Sequence, residues 1–579
     1  MHRPAKRDRD SKLLGHILAA RESFGVTIAL FAIATGGLLW QVLGQIGITL
    51  IGQDSSFTLW SFWLPSCALW LNQDVMITDY SAFPFQQNLL LVLSPLGSLL
   101  YFGLRGLRLS PPLAFNLLYG VSVIFTGWTT AAYLRYFGLP KAGSLFAGVL
   151  LVFSPVMHYQ LSHGHPDLMA LGWIPLGCLV WEQVRSRQRH SVWLALVWVG
   201  TVLTSVPLTL LALVVWLPYI TVSILQTREE ERHWLINSML VQVLVWVAVC
   251  MTYPLPGLFK TWVGLAPPAE ATALLTNVWQ LTVATGFIGL VWVALAVLAI
   301  ASLWRDTFVQ TKHSQATRSA PPVDRTIAGF WLGMGLLSLL LALIPAGSGW
   351  FSTHQQWLSP ADWIALASVS FCLLIAFGLA SVWQRWELGD HRVRVLAMMP
   401  LVVLVVTIAL RPAPPTVAWR PSPAYTAIGK EPGDYALLEV PFGIHSLTNG
   451  RQFGSGFDLQ QYAVIHRKRT LNGNIAGSGT DAFNTDTHSL LLRALAGQPF
   501  VPTASITAEL QTLVQSQQIG YVVVQLARLQ PGQQTQIFGL FDTKTSGLCR
   551  VFRDSSTVVY RTKWHPFDCN QPLMLVNSP

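Results

Sequence analysis

Long apolar segments separated by short polar ones run through the first 411 residues of the chain. A helix needs about 20 mainly apolar residues to cross the hydrocarbon core of a membrane. Segments near that length lie at residues 24–51, 112–134, 142–159, 167–184, 191–206, 207–226, 234–253, 280–304, 327–345, 362–384 and 395–411. The pattern predicts a mainly α polytopic membrane protein with about eleven transmembrane helices.

Two stretches of this pattern need interpretation. Residues 191–226 are long enough for one long helix, but Ser205 and Pro207 in the middle favour two. A further apolar stretch, 89–106, would invert the loop charges that follow if it crossed the membrane. We therefore interpret it as a juxtamembrane or re-entrant helix within a long external loop, residues 52–111, and expect that loop to dock on the helix bundle.

The aromatic residues of the external loop fit an interfacial belt at the membrane surface. Platforms for stacking sugars are the alternative interpretation. The residues concerned are Trp60, Trp63, Trp70, Tyr80, Phe83 and Phe85.

The pattern changes after residue 411. A proline-rich stretch, 412–430, predicts a linker, and β-branched runs at 435–442, 519–526 and 556–562 predict strands. Helical patterns near 487–496 and 504–518 lie between them. We predict a small extracytoplasmic α/β domain over residues 431–579, after a transmembrane domain at 24–411 and a cytoplasmic N-terminus at 1–23.

Composition and charge agree with this division. Only 11% of the residues are charged and 52% are hydrophobic, whereas a soluble protein has roughly 25% charged residues. The net charge of +10 comes from short basic clusters between apolar runs, which is the distribution of cytoplasmic loops rather than of a nucleic-acid-binding face. The basic N-terminus lacks a cleavage site, which indicates an uncleaved signal anchor. We expect a multi-pass protein of the plasma (inner) membrane with a cytoplasmic N-terminus and an external C-terminal domain.

This topology leaves few ionisable residues near the external membrane surface. Asp54 follows the first helix, and His163, His165 and Asp167 lie in "SHGHPD" between two apolar runs. Each acid has a structural alternative, since Asp54 could be a helix cap or a solvated loop residue and Asp167 could cap the following helix. The two histidines lack a defined third ligand, so we predict no metal site.

The order of these features resembles the GT-C superfamily of membrane glycosyltransferases. The features are an acid just beyond the first helix, the long external loop with its juxtamembrane helix, the segment "PPLAFNLLYGVSVIFTGWTTAAYLRYFGLP", and a helix ending in "FSPVMHY" with an acid shortly after it. The "hGH" loop and the "ALLEVPFG" strand are similar to those of an uncharacterised bacterial group within that superfamily.

The resemblance implies roles for particular residues. It implies that Asp54 is the catalytic or acceptor-positioning carboxylate, and that Asp167 is a second acid that helps to bind acceptor, metal or donor phosphate. It implies a polyprenyl-phosphate-linked sugar as the donor. Two departures stand against it: Gln53 precedes Asp54 where an acid pair is expected, and "SPADWIALA" (359–367) lacks the arginine expected after its proline.

The leaving lipid phosphate needs cationic stabilisation. Arg105, Arg108 and Lys260 are the cations expected on the external side, with His163 and His165 as further donors, although interface anchoring is the favoured role for each cation. His354 and Asp362 are expected near the same surface.

The sequence therefore predicts a glycosyltransferase that moves a hexose or pentose from a lipid-linked donor to an external glycan, lipid or protein acceptor, with or without a divalent cation. A non-catalytic scaffold of the same fold is the alternative, since the expected arginine is missing. A transporter fits less well because the predicted spans are nearly free of charge. Nucleic acid is excluded as a partner.

Two cysteines, Cys549 and Cys569, lie in the polar C-terminal region. In an external domain they can pair, and closing such a loop would add about 3 kcal/mol of stability. Two free thiols are the alternative.

Overall fold

The structure is a computed structural model. It describes residues 25–71, 77–78, 80–83, 87–88, 93–187, 192–252, 325–343, 360–386, 412–446, 452–475, 489–563, 569 and 571–573. The expected spans 280–304 and 395–411 lie outside the described residues.

Apolar helices dominate the first part of the chain. They are α1 (Gly25–Leu39), α2 (Ser55–Leu71), α3 (Pro95–Gly106), α4 (Pro111–Tyr136), α5 (Lys141–Val152), α6 (Pro155–His163), α7 (Trp173–Arg187), α8 (Val192–Thr204), α9 (Val206–Leu225), α10 (Glu229–Thr252), α11 (Arg325–Leu343) and α12 (Pro360–Trp386). Within the described part of the chain, three helical stretches are long and apolar enough to cross a membrane: Pro111–Tyr136, Lys141–His163 and Val206–Leu225.

Proline sets several helix boundaries. Ser205 has an extended backbone between α8 and α9, and Pro207 occupies the first turn of α9, so the interpretation of 191–226 as two helices is confirmed. Ser154 is likewise extended before Pro155, which divides the third long stretch into α5 and α6. Proline is tolerated there because the first turn of a helix needs no internal N–H donor.

The described part of the loop 52–111 contains two helices where the sequence predicted one. The stretch expected at 89–106 forms α3, which Ser94 caps by accepting a hydrogen bond from the Gly97 N–H at 3.1 Å. Helix α2 was missed, and it packs against α3. Trp60 and Trp63 of α2 are buried in the helical core, so the interfacial interpretation is wrong for these two residues.

The buried Glu182, within the expected span 167–184, forms an ion pair with Arg185 just beyond that span. Glu182 accepts hydrogen bonds from Arg185 at 2.6 Å and 2.9 Å and from the Tyr219 hydroxyl at 3.1 Å. The tyrosine joins α9 to α7 through this carboxylate. Because the charge is paired and hydrogen-bonded, the ion pair has a structural explanation that needs no transport pathway.

The part of the chain after residue 411 is built around two sheets. The strands are β4 (Thr416–Ala418), β5 (Ala436–Val440), β6 (Gly443–Ser446), β7 (Gln452–Gly454), β8 (Arg469–Thr470), β9 (Gly473–Ile475), β10 (Ile519–Gln525), β11 (Leu548–Arg553) and β12 (Thr557–Thr562). The helices are α13 (Pro423–Lys430), α14 (Ala463–His466), α15 (Leu490–Leu495), α16 (Ala504–Ser516) and α17 (Pro531–Phe541).

A five-stranded sheet has the order β11-β12-β10-β5-β8. Strand β10 runs parallel to β5 and antiparallel to β12, and every residue of β5, β10 and β12 is buried. These three central strands coincide with the three β-branched runs of the sequence. Cys549 and Cys569 form a disulfide, which decides between the two alternatives for these cysteines.

Three short strands belong to the membrane part: β1 (Thr49–Ile51), β2 (Ile77–Thr78) and β3 (Gln87–Asn88). Strand β1 pairs antiparallel with β4, so the stretch expected to be a linker contains a strand and the helix α13. Residues 80–83 also bond to the C-terminal part: the Ala82 N–H donates to the Asn472 carbonyl at 3.1 Å, and the Phe83 N–H to the Thr470 carbonyl at 3.0 Å. Backbone pairing therefore joins the two parts at two places.

Candidate functional site

Asp54 lies between β1 and α2, where its backbone is bound to the end of α6. The Asp54 N–H donates to the His163 carbonyl at 3.0 Å, and the Gln53 N–H donates to the Ser162 carbonyl at 2.8 Å. The Asp54 carbonyl accepts from the Phe57 and Thr58 N–H groups at the start of α2. Two segments more than 100 residues apart in the sequence are thus fixed against each other at the level of the main chain.

Two glycines permit this close approach. Gly52 and Gly164 both have a positive φ, of 103° and 90°. A Cβ on Gly52 would lie 2.3 Å from the Gly164 Cα, and a Cβ on Gly164 would lie 2.6 Å from the Ser55 backbone nitrogen. Only glycine fits either position, because any side chain would meet backbone and would also strain the residue's own conformation.

Helix α4 fixes β1 from the other side. The buried Asn116 side chain donates to the Ile46 and Thr49 carbonyls at 2.8 Å and 2.7 Å and accepts from the Ile51 N–H at 3.2 Å. The Tyr119 hydroxyl donates to the Ile51 carbonyl at 2.8 Å. Sequence reasoning missed both residues. The available signal was an asparagine inside a long apolar helix, where a buried amide needs partners.

The "SHGHPD" segment is a helix end followed by a turn. Gly164 takes the left-handed conformation just after α6, and the N–H groups of Gly164 and His165 both donate to the Gln160 carbonyl at 3.0 Å. This arrangement ends a helix in a defined direction and satisfies its last carbonyls. The end of α6 therefore lies against residues 53 and 54, and the chain continues through the turn to α7.

His163 and His165 line one cavity of about 150 Å³, which we call the histidine cavity. Its other lining residues are Tyr159, Gln160, Leu168, Pro207 and Asp362. The His163 ring packs on the Tyr159 ring at 4.0 Å between centroids, and His163 Nδ1 lies 2.9 Å from the Tyr159 carbonyl. Since a carbonyl only accepts, Nδ1 must carry the proton, which leaves Nε2 as the basic nitrogen.

Charges around the histidine cavity come from carboxylates on two separate elements. Burial lowers the pKa of His165, and the Asp54 carboxylate partly opposes that shift, so His165 is neutral near pH 7. Asp54 and Asp362 both interact electrostatically with the Tyr159 hydroxyl. Asp54 therefore lies beside the histidine cavity, and Asp362, in the first turn of α12, lies in its lining.

Asp167 lines a different cavity. This second cavity, of about 140 Å³, is called the apolar cavity because of its lining: Phe62, Leu96, Leu100, Leu118, Val121, Phe125, Pro166, Ala170 and Trp173, with Ser94, Gly97, Ser122, Asp167 and Thr204. Consecutive residues of the turn divide between the cavities: Pro166 and Asp167 line the apolar one, whereas His165 and Leu168 line the other.

The structural alternative in which Asp167 caps α7 is wrong, because α7 begins at Trp173. The intervening turn is bound to α4 instead, since the Thr126 hydroxyl donates to the Met169 carbonyl at 2.8 Å and accepts from the Gly172 N–H at 3.0 Å. Burial raises the pKa of Asp167 to about 7, against the opposing effect of its own N–H and that of Leu168. Its Oδ1 is buried without a hydrogen-bond partner.

Of the remaining expected site residues, the described Arg105 and Arg108 line neither cavity. Arg105 lies in the last turn of α3 and donates to the Leu109 carbonyl, whereas the lining of the apolar cavity comes from the first turns of that helix. Arg108 is exposed just after α3. Lys260 and His354 lie outside the described residues. Within the described part of the chain, no group of three His, Cys, Asp or Glu side chains is placed to hold a metal ion.

No family model matches the chain, and no curated protein matches it in sequence. Two cryo-EM structures of arabinofuranosyltransferase AftD from Mycobacteria are similar in fold. One has 14% identity and a TM-score of 0.58 and covers 94% of this chain and 40% of its own. A mutant form has 15% identity and a TM-score of 0.57 and covers 95% of this chain and 42% of its own.

The apo oligosaccharyltransferase of Archaeoglobus fulgidus has 13% identity and a TM-score of 0.40 over 86% of this chain and 69% of its own, and no conclusion rests on that likeness. The chain spans about two fifths of the length of AftD. At these identities the similarity concerns fold alone. The chain is a membrane protein with the GT-C-like fold of AftD, as its sequence pattern predicted.

Proposed function

We propose that the protein is a membrane glycosyltransferase that moves a sugar from a polyprenyl-phosphate-linked donor to an acceptor on the external face of the plasma (inner) membrane. The observation that carries the proposal is the position of Asp54, whose backbone is fixed against His163 beside the histidine cavity. The GT-C-like fold supports the reaction class. In this proposal the N-terminus is cytoplasmic and the C-terminal sheets are external.

In the proposed reaction, an acceptor hydroxyl attacks the anomeric carbon of the donor sugar. Asp54 takes the hydroxyl proton while the new C–O bond forms. The bond between the anomeric carbon and the phosphate oxygen breaks, and the polyprenyl phosphate leaves with that electron pair. A positioned general base contributes roughly 10² to 10⁴-fold to such a step.

The leaving phosphate gains negative charge and needs donors nearby. The Nδ1–H of His163 is already bound to the Tyr159 carbonyl. Neutral His165 keeps one ring N–H, which makes it the donor we propose for the phosphate. Lys260 and His354 stay proposals from the sequence, as does participation of a divalent cation. Asp362 becomes a further candidate site residue because it lines the histidine cavity, where Asp167 was expected.

The name of AftD describes a transferase of arabinofuranose, a pentose. This makes a pentosyl donor the first to test for this chain, before a hexosyl donor.

The test is the substitution Asp54→Asn, which keeps the size of the side chain and removes the base. Transfer of radiolabelled sugar from polyprenyl-phosphate donors is measured in membranes that contain equal amounts of each variant. We expect the rate to fall by roughly 10² to 10⁴-fold. Asp434→Asn, at a carboxylate that is 83% exposed, is the matched control and should leave the rate unchanged.

Undiminished transfer by Asp54→Asn at normal expression would exclude Asp54 as the base. If Asp54, Asp167 and Asp362 all tolerate substitution, the non-catalytic scaffold becomes the better explanation of the fold.

A further inference from the structure

The apolar cavity opens toward the lipid. Leu100 on α3 and Val121 on α4 line it and are 40% and 43% exposed. Next to them on the same helices, Leu99 and Leu117 are 68% and 36% exposed and lie outside the lining. Helix α4 is long and apolar enough to span a membrane, so exposed leucine and valine on its surface face hydrocarbon. The cavity is therefore continuous with a lipid-facing surface.

The lining of the cavity includes one carboxyl group. Asp167 lines the cavity together with Pro166, and its buried Oδ1 has no hydrogen-bond partner. A buried acceptor without a partner costs roughly 1–3 kcal/mol. A ligand hydroxyl at this position would donate to that oxygen and remove the cost. Burial also raises the pKa of Asp167 to about 7, so near neutral pH the carboxyl is uncharged for much of the time.

The charge of the lining restricts the ligand. No Lys, Arg or His is among the described residues that line the apolar cavity. A phosphate head group would face the Asp167 carboxyl there without a counter-charge from the described lining, and burial of an unpaired charge is strongly unfavourable. An uncharged head that carries hydroxyl groups fits both this described lining and the unpartnered oxygen.

We propose that the apolar cavity binds the hydrocarbon chain of the acceptor, a membrane lipid with an uncharged, hydroxyl-bearing head, and that Asp167 hydrogen-bonds that head. The turn at 163–168 separates this cavity from the histidine cavity. The residue proposed to bind the head group, Asp167, is only two positions along the chain from His165, which lines the histidine cavity. The inference rests on the proposed transferase function and adds the class of its acceptor: a lipid, rather than a soluble glycan or a protein.

The test uses the full-length protein in lipid nanodiscs and two photoactivatable probes with a diazirine in the acyl chain. One probe is diacylglycerol, with an uncharged hydroxyl head, and the other is phosphatidate, with an anionic head. We expect diacylglycerol to label peptides from α3 and α4 about tenfold more than phosphatidate does, which is the ratio that one favourable hydrogen bond or one unpaired charge produces.

Ser122→Trp fills the cavity and should reduce that labelling about tenfold. Leu117→Trp, on the exposed surface of the same helix, is the matched control and should not reduce it. Asp167→Leu should reduce labelling, while Asp167→Asn, which still offers a donor and an acceptor, should largely restore it. Leu100→Trp at the partly exposed mouth replaces Ser122→Trp if the latter does not fold.

Equal labelling by the two probes, stronger labelling by phosphatidate, or labelling that Ser122→Trp and Leu100→Trp leave unchanged would each overturn the proposal. The measurement is repeated with Asp54→Asn, which should label normally. If Asp54→Asn transfers sugar as fast as the wild type while the labelling results are as expected, the proposed enzyme is rejected and the lipid site is kept. If Asp54→Asn loses transfer but the labelling results are not as expected, the lipid site alone is rejected.

Discussion

At the scale of single residues, the clearest departure from ordinary chemistry in the C-terminal part is Glu439, in the "LEVPFG" strand. Its carboxyl is fully buried and accepts hydrogen bonds from the Tyr425 hydroxyl and, at 3.2 Å, from the Thr470 hydroxyl. Burial raises its pKa to about 8, and these hydrogen bonds oppose the shift without cancelling it. The folded protein thus keeps a proton that an unfolded chain would release.

This raised pKa predicts how stability depends on pH. An unfolded chain loses the Glu439 proton near pH 4.5 and the folded protein near pH 8, so the contribution of Glu439 to stability is fully present below 4.5 and is lost as pH rises toward 8. The loss is about 1.4 kcal/mol per pH unit in that window. Glu439→Gln cannot ionise and should gain melting temperature relative to the wild type between pH 5 and pH 8, measured by differential scanning fluorimetry.

His466 is a second buried group with a shifted pKa, so the pH dependence of the wild type alone does not isolate the effect of Glu439. Burial lowers its pKa to about 3, so its effect has the opposite sign and destabilises the folded protein as pH falls below about 6.5. The two effects oppose each other between pH 4.5 and 6.5 in the wild type, and the difference from Glu439→Gln isolates the carboxyl. A constant difference between Glu439→Gln and the wild type at all pH values would mean that Glu439 is ionised in the folded protein.

At the scale of elements, the hydrophobic pattern alone predicted a helix correctly where the segment has one environment along its whole length. The segment expected at 112–134 is α4, and the break at Ser205 is where proline chemistry requires it. Pattern failed for α2, because a helix buried in protein and a loop at the membrane interface contain the same aromatic and apolar residues. Burial of Trp60 depends on contacts distant in sequence, which the pattern does not contain.

The site shows the same limit. Sequence reasoning selected Asp54, His163 and His165 because a topology argument places them on one membrane face. It also grouped Asp167 with them, but the turn after Gly164 directs neighbouring residues into different cavities. Asp362 enters the histidine cavity from a helix about 200 residues later in the chain. Which carboxylate joins the histidines is decided by helix packing, and spacing along the chain does not encode it.

The crossing of the β1–α2 connection with the end of α6 gives a testable prediction at this scale. Gly52→Ala should separate the two segments, because the new Cβ would lie 2.3 Å from Gly164 backbone atoms that cannot move aside cheaply. We expect sugar transfer to fall about tenfold or more, since small misplacements of a catalytic group cost up to about 10²-fold. Steady-state transfer assays on purified protein measure it.

Gly36→Ala is the control for Gly52→Ala, because a Cβ on Gly36 of α1 meets nothing within 4 Å. Its activity should equal that of the wild type, and its melting temperature should not fall, because alanine is the better helix former. Full activity of Gly52→Ala would show that the backbone contact between Asp54 and His163 is not required for transfer.

At the scale of the whole molecule, the C-terminal part is built onto the segment that carries Asp54. The Gly52 N–H donates to the Pro415 carbonyl at 2.8 Å, β4 extends β1, and the short helix Phe457–Tyr462 packs on α2. The Ser81 hydroxyl donates to the Gln460 side chain at 2.6 Å in the same region. Because these contacts include Gly52, two residues before Asp54, the C-terminal sheets must lie on the same side of the membrane as the proposed reaction.

That requirement gives a prediction about topology. Gln515 is exposed on α16 and Arg228 is exposed just before α10, and the proposed topology places them on opposite sides of the membrane. In right-side-out membrane vesicles, a membrane-impermeant maleimide should label Gln515→Cys and should label Arg228→Cys only after the vesicles are opened with detergent. The disulfide between Cys549 and Cys569 points the same way, because such bonds persist in oxidising compartments and are rare in the cytoplasm. Labelling of Arg228→Cys but not Gln515→Cys in sealed vesicles would place Asp54 and the C-terminal sheets in the cytoplasm, where transfer to an external acceptor is impossible.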